Sequence, residues 1–488
     1  MSSIPATSNG FPVSYDRIEA SIGKPAIDAS LDGTAYAPYW LRHPDRPAAL
    51  PSLEGNLTTD LLVVGGGYCG LWTALLAKEE NPDREVVLIE GQTVGWAASG
   101  RNGGFCEASL VHGESNGEKH LPGENQRLAE LGAENLAGII GTVKKYDIDC
   151  DLVESGVLTV ATEKHQVQWL KEEAAQDPEL VAMDASHVRT HIDSPLFEGG
   201  NWDRHGTVLV HPAKLAWGLR RVCLNLGVRI FEHTKGEELT STSTEIRVRT
   251  GAGNITARSV ALATNAFPSL LKRHRLHTIP VYDYALMTEP LTAAQRQFIG
   301  WKENMGLADM NNRFHYSRPT IDEDGGWRLL YGGYDAIYHY GREVKPQYDR
   351  HDATFRKLAA HFLGTFPQLE GIKFSHAWGG AIDTCSRFFA FFDTSHSGRV
   401  AYCAGFTGLG VGATRFGARV MLDLLSGSKT ELTELEMVRK KPLPFPPEPA
   451  AWLGVKLMTN GLVQADRNEG RRGPFLKAMD AVGMGFDS

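Results

Sequence analysis

The sequence predicts an α/β fold in two packed domains, a doubly wound unit with parallel strands and an inserted domain built on an antiparallel sheet. Three observations predict it. TDLLVVGGG runs into YCGLWTALLAKEE and then EVVLIE, an apolar run ending in glycines, a stretch of helical spacing and a second buried-type run, which together read as βαβ. Between residues 276 and 370, TIPVYDYALMTE, RFHYSR and WRLLYGGY alternate as strands of an antiparallel sheet do. At 488 residues the chain is about three typical domain lengths, enough for two lobes with a deep pocket between them.

Residues 1–58 are rich in Pro, Ser, Gly and aromatics without periodicity and read as an N-terminal arm over a domain surface. The βαβ unit opens the first domain, assigned to 59–110, 206–275 and 371–430. The segments 111–205 and 276–370 form the inserted substrate domain, with a helix from Asn125 to Lys145 and a strand at SGVLTVA. HPAKLAWGLRRVCLNLG reads as an amphipathic helix, and VRIFEHT, EIRVRT and ITARSVALATN as strands that return to the first domain. RVAYCAG, FTGLGVG and ATRFGARVMLDLLSG then give strand, turn and helix, closed by Gly427. The tail, 431–488, carries the stiff segment PLPFPPEP and short helices that pack back on the body.

Composition excludes several functions. Apolar residues at 42% and charged residues at 22% are ordinary for a folded protein. A net charge of −8 gives no basic face for nucleic acid, and Lys272-Arg273-His274-Arg275 reads as a solvated loop. The six cysteines form no C-x-x-C pair, so neither a metal site nor a disulfide scaffold is expected, and a reducing compartment fits. No leader pattern or long apolar window appears, so the chain is expected to be cytoplasmic and free of membrane insertion.

The chemistry lies in three glycine-bearing turns. In GGGYCG, a G-x-G-x-x-G pattern falls on Gly65, Gly67 and Gly70 between a strand and a helix, around Tyr68 and Cys69. The first glycine turns the chain, the second admits a pyrophosphate and the third lets helix and strand pack, with the helix N-terminus facing the phosphates. This is a Rossmann-like signature. Glu90, followed by Gly91, ends the second strand where a carboxylate accepts ribose hydroxyls, a charge-assisted bond of about 1.5–3 kcal/mol that also disfavours NADP.

The second turn, WAASGRNGG at Trp96–Gly104, selects FAD over NAD. Ser99 and Arg101, beside Ala98, can hold the pyrophosphate, and the backbone of Asn102, Gly103 and Gly104 can lie against a flavin ring. In the third, CAGFTGLGVG at Cys403–Gly412, a helix start aims N–H groups at the negative charge of a reduced flavin's pyrimidine edge.

With ALATNAF and VHPAKLAWGL, the segments VVGGGYCGLWTALLA, GWAASGRNGG and AGFTGLGVG match in order and kind, so the chain resembles the FAD-dependent glycine and D-amino-acid oxidase (DAO) family over residues 35–430. It is most similar to the gamma-glutamylputrescine oxidase-like branch. The resemblance implies a DAO or glutathione-reductase-like two-domain fold and FAD bound non-covalently or through one bond. It also implies hydride transfer from an amine or amino acid, giving an imine that water hydrolyses, with dioxygen or another acceptor reoxidising the flavin. FAD contacts are implied at the turn residues already named, at Gly405, Thr407, Gly408, Leu409 and Gly410, at Ala263, Thr264 and Gly380, and near the adenine at Gly236.

Three departures qualify it. Trp378-Gly379-Gly380 leads into TCSRFFAFF where relatives often have Thr-x-Asp-x-x-Pro, so the substrate-side wall is expected to differ. Leu409 stands where relatives often place histidine. SGRNGG lacks the histidine of covalent flavin attachment, leaving Cys106 and Cys385 as outside candidates.

For the substrate pocket the candidates are Tyr282, His315, Tyr316, Arg318 and Tyr334 from the inserted sheet and Trp378 beside the flavin, each with packing as its bland alternative. Arg318 can pair a substrate carboxylate, or it and Arg313 can be ion-pair members. The rival readings are a flavin-retaining accessory or binding subunit, which no amine would bleach, and an NAD-dependent dehydrogenase, which would not purify yellow. Substrate identity and oligomeric state are not legible.

Overall fold

The computed structural model describes residues 13–484. Its first sheet has eight strands, with 391–395, 400–404, 253–262, 57–64, 86–89 and 229–231 side by side and the hairpin strands 236–241 and 246–250 joined to 253–262. The five strands from 400–404 to 229–231 run parallel, with Val64 in register with Leu262 on one side and Ile89 on the other. A parallel strand is covered on both faces, which is why LLVV carries no alternation and is buried throughout. Helix Tyr68–Glu80 lies against it, between helices Pro212–Asn225 and Ala413–Ser426. Its small and apolar residues, Ala74, Leu75 and Ala77 among them, are fully buried. Gly427, in a left-handed conformation, closes the helix Ala413–Ser426.

The second sheet has nine strands in the order 337–338, 278–288, 327–333, 315–321, 306–309, 157–161, 199–203 and 181–184, with 374–385 paired to 278–288. All its pairings are antiparallel except 306–309 with 157–161. The second core, around Tyr284, Leu286, Leu329, Tyr331 and Phe362, lies between this sheet and helix Asp352–Thr365.

Two expected boundaries move. Strand Phe374–Cys385 was expected to open the last part of the first domain at residue 371, yet it pairs antiparallel with Thr278–Thr288 along eleven positions and so belongs to the second sheet. Only after Cys385 does the chain return to the first. Helix Asn125–Lys145 forms over the expected residues, but Leu128, Leu131, Leu136 and Ile139 pack into the core of the first sheet. Its apolar stripe faces Ala413–Ser426, so residues 113–148 cover the first lobe instead of extending the inserted one.

The arm lies largely on the second lobe, where helices Ser14–Ser21 and Lys24–Leu31 pack on Asp352–Thr365. Residues 1–12 of the expected arm fall outside the described residues. In the tail, helices Ala450–Asp466 and Pro474–Ala481 pack on each other. Among the described residues, no helix is long and apolar enough to cross a membrane. Leu75 has no exposed surface at the centre of the first lobe, so Leu75→Ala should lower the unfolding free energy by about 2–5 kcal/mol, read as a lower urea midpoint at unchanged slope.

Candidate functional site

All three glycine-bearing turns open on one cavity of about 2100 Å³ between the lobes. That is roughly twice the upper end for a drug-sized ligand, room for a dinucleotide with a substrate beside it.

At one end, Gly65 takes φ +117° and lies against the Ala263 carbonyl, a close approach that no side chain permits. Gly67 is the N-cap of helix Tyr68–Glu80, which has no side-chain cap of its own. The Tyr68 N–H instead donates to Ser99 Oγ at 2.9 Å, bringing the second turn onto the helix start. Tyr68 and Cys69 line the cavity here, as do Ala98 and Ser99. Gly70 does not, being pressed on the Gly65 carbonyl as the packing glycine.

Glu90 is buried and accepts from Gly66 N at 2.7 Å, Gln92 N at 2.8 Å and Trp96 Nε1 at 2.9 Å. Burial raises its pKa, and these three bonds oppose the rise. Three donors leave about one of a carboxylate's four acceptor positions open. Gly91 and Gly236 line the cavity close by. Thr264 lines it too, and its Oγ1 is buried without a hydrogen-bond partner among the described residues, a polar atom that a bound group would satisfy.

The second turn is held from outside. The Arg101 carbonyl accepts from Trp378 Nε1 at 2.8 Å and the Asn102 carbonyl from Trp40 Nε1 at 2.9 Å. Asn102 closes the turn on itself, donating to Ala98 O at 3.0 Å and accepting from Gly104 N at 2.8 Å. Arg101 lines the cavity, and its guanidinium donates to Asp349 and, at 3.3 Å, to Gly379 O, bridging the lobes. Asn102, Gly103 and Gly380 line the cavity, whereas Gly104 packs on Val210 and Arg318.

In the third turn, Thr407, Gly408, Leu409 and Gly410 line the cavity. Gly408 takes φ +97°. Gly405 packs behind them against Cys385. The stretch after Gly380 departs less from the family pattern than TCSRFFAFF suggested, because Asp383 keeps the acidic position. It accepts from Gly405 N at 2.5 Å, fixing the turn, and burial pushes its carboxyl up to about 7. Cys106 and Cys385 are buried and off the cavity, while Cys69 and Cys403 line it.

Of the substrate-pocket candidates, Tyr316, Tyr334 and Trp378 line the cavity and three do not. Tyr282 faces the other side of its strand, its hydroxyl bonded to the backbone of Lys345. Arg318 is buried, and burial lowers its guanidinium to about 10. It donates to Val210 O at 2.6 Å and Gly104 O at 3.2 Å, tying the second turn to the second sheet, so no substrate carboxylate meets it.

His315 belongs to a buried polar chain. Asp309 accepts from His315 Nδ1 at 2.8 Å and Tyr15 OH at 2.9 Å, His315 Nε2 lies 2.9 Å from His361 Nδ1, and His361 Nε2 lies 2.9 Å from Glu19. The chain fastens the arm. Sequence spacing also missed Asp283, Glu107 and Asp349 on the cavity wall and the tail helix Ala450–Asp466 at its rim. No local pattern marks them, since each arrives by sheet register or chain return.

Burial holds His361 down to about 4, against the opposing bond from Glu19. The unfolded chain binds a proton there near pH 6.5, so folding stability is lost as pH falls from about 6.5 toward 4, by roughly 3 kcal/mol at most. Urea midpoints between pH 7 and 4.5 should therefore fall less steeply in His361→Gln than in the parent.

A family model, FAD dependent oxidoreductase (DAO), matches residues 60–424. Gamma-glutamylputrescine oxidoreductase of Escherichia coli is 30% identical over 83% of this chain and 92% of its own length, and sarcosine oxidase subunit beta of Rhodobacter capsulatus is 23% identical over 69% and 77%. The solved glycine oxidase of Geobacillus kaustophilus superposes with a TM-score of 0.63 at 18% identity, over 79% of this chain and 99% of that one. L-proline dehydrogenase of P. horikoshii gives 0.62 at 17%, over 78% and 96%. These likenesses share the two-domain arrangement, and the family model spans the chain from the first turn to the third. The chain therefore belongs to the DAO family of FAD-dependent oxidoreductases.

Proposed function

We propose that the protein oxidises the C–N bond of a small amine or amino acid, with dioxygen or another acceptor completing turnover. The observation that carries the reading is the meeting of the three turns on one cavity, where Trp378, Tyr316 and Tyr334 line the wall with Asp283. Relatives named for gamma-glutamylputrescine, sarcosine and glycine support the same bond type.

The chain's own residues bind and position. Gly65 and Gly67 let the pyrophosphate approach the start of helix Tyr68–Glu80, with Ser99 beside it. Glu90 would accept from a ribose hydroxyl with its open position, Gly236 and Thr264 would lie toward the adenosine, and the backbone of 101–103 would flank the ring system. The turn at Gly408–Gly410 presents backbone N–H groups to its pyrimidine edge. When bound, FAD supplies the hydride acceptor for the carbon next to nitrogen, and the imine produced is hydrolysed by water. Trp378 and Tyr316 exclude solvent from the reacting face and orient the substrate. A reducing compartment such as the cytoplasm suits the six free cysteines.

The purified holoenzyme should lose its visible flavin absorbance when mixed anaerobically with the right member of an amine and amino-acid panel. The rate should rise with pH, since the nitrogen must shed its proton before hydride leaves. Retention of FAD with no bleaching by any member would mark an accessory subunit instead. Separately, Glu90→Ala should weaken FAD binding by about tenfold or more in a fluorescence titration of the apoprotein, and unchanged affinity would put the ribose elsewhere.

A further inference from the structure

Asp283 sits in strand Thr278–Thr288 with its side chain on the cavity. Its register partner in Phe374–Cys385 is Gly380, which has no side chain to cover it. The Tyr316 hydroxyl donates to its Oδ2 at 2.7 Å. That phenol is fixed in place, because its ring fills the space over Gly332 on one side and Gly103 on the other.

The acidic groups around it have cations of their own. Asp335 is paired with Lys357 at 2.9 Å and Asp349 with Arg101. Among the described residues, no Lys, Arg or His side chain lies within ion-pair distance of Asp283. A carboxylate held from water without a cation is unfavourable, and in a cleft it marks a place where a ligand brings the charge.

We propose that Asp283 anchors the substrate as an ammonium ion and, steadied by Tyr316, takes the proton that must leave nitrogen before oxidation. The inference rests on the amine-oxidation reading and adds to it a named proton acceptor and a cationic substrate. One N–H bond of the ammonium breaks, its electron pair stays on nitrogen, and the proton passes to the Asp283 carboxylate. The adjacent C–H bond then breaks with both electrons going to FAD as hydride, so the C–N bond becomes C=N and FAD is reduced by two electrons. The proton on Asp283 returns to solvent as product leaves.

The ionisable groups facing Asp283 set the pH behaviour. Tyr316 approaches from His315–Ile321, Asp335 from the turn after Trp327–Gly333, and Arg101 lies across the cavity, its stem near Gly380. The paired strand contributes only glycine at this level. Burial raises the Asp283 carboxyl to about 6 and the Asp335 charge adds to the rise, while the bonds from Tyr316 and the backbone oppose it. The same desolvation lowers the pKa of an ammonium placed against Trp378 and Tyr316, so donor and acceptor are drawn together.

The test uses the FAD-loaded protein, Asp283→Asn and Tyr316→Phe, each first checked for a parent-like flavin spectrum. Butyltrimethylammonium, which has no nitrogen lone pair and cannot be oxidised, should perturb the parent's flavin absorbance and bind at least about tenfold more weakly to Asp283→Asn. With an amine that bleaches the flavin, the parent's limiting rate should rise through an apparent pKa near 6 and then level. In Asp283→Asn the rate at pH 7 should fall about 100-fold or more and rise only through the amine's own ionisation. In Tyr316→Phe, which lacks a bond that lowers the carboxyl's pKa, the rise should move to higher pH. A parent indifferent to the cation, equal cation affinity in parent and Asp283→Asn, or an unchanged pH profile would overturn the assignment. Failure of every amine to bleach the parent would instead overturn the amine-oxidation reading, while the cation titration still judges Asp283.

Discussion

Two indole N–H groups hold the carbonyls of Arg101 and Asn102, and the geometry of the cavity depends on them. Trp40 comes from the arm and Trp378 from the second sheet, so the middle turn is located by both regions outside its own lobe. A turn of small residues has little packing surface with which to fix itself. Hydrogen bonds from large, buried rings supply the missing constraint, and Arg318 adds a third tie through the carbonyl of Gly104. Both aromatic anchors and the guanidinium thus act on backbone.

The same division runs through the charges. Arg318 and Arg101 spend their donors on protein acceptors, and Lys357 is committed to Asp335. Asp283 stays on the cavity without a cation among the described residues, while Lys235, Arg313, Arg342, Lys345 and Lys456 line other parts of the wall. Asp383 and Glu90 are turned toward backbone N–H groups and set the shape of turns. Glu107 lines the wall as well, and burial pushes its carboxyl up to about 7. Around Asp283 the wall favours a ligand group that carries positive charge.

Much of the first lobe was legible because its signals are local. The strand at LLVV, the helix after Gly67 and the turn at FTGLGVG each declare themselves within a dozen residues through periodicity and glycine. The strands of the second sheet were legible as strands, but which face each residue takes was not. Period 2 places Tyr282 and Asp283 on opposite faces, and nothing in the sequence says which of the two faces the cavity. His315 and Arg318 misled for a related reason, since a polar residue in a strand looks the same whether it meets a ligand or a buried partner 46 or 108 positions away. Helix Asn125–Lys145 had the right length and period, and its lobe was decided by a stripe that fits either core.

The chain passes between its two sheets several times, and this has a consequence for biosynthesis. Strand Leu57–Val64 waits for Gly253–Leu262, which in turn waits for Val400–Ala404, while Thr278–Thr288 is flanked by a strand that ends at Cys385. Neither sheet can be completed by a nascent chain until nearly four-fifths of the polypeptide has left the ribosome. Such late, non-local closure leaves apolar strand edges exposed during synthesis, a hazard that chaperones would relieve.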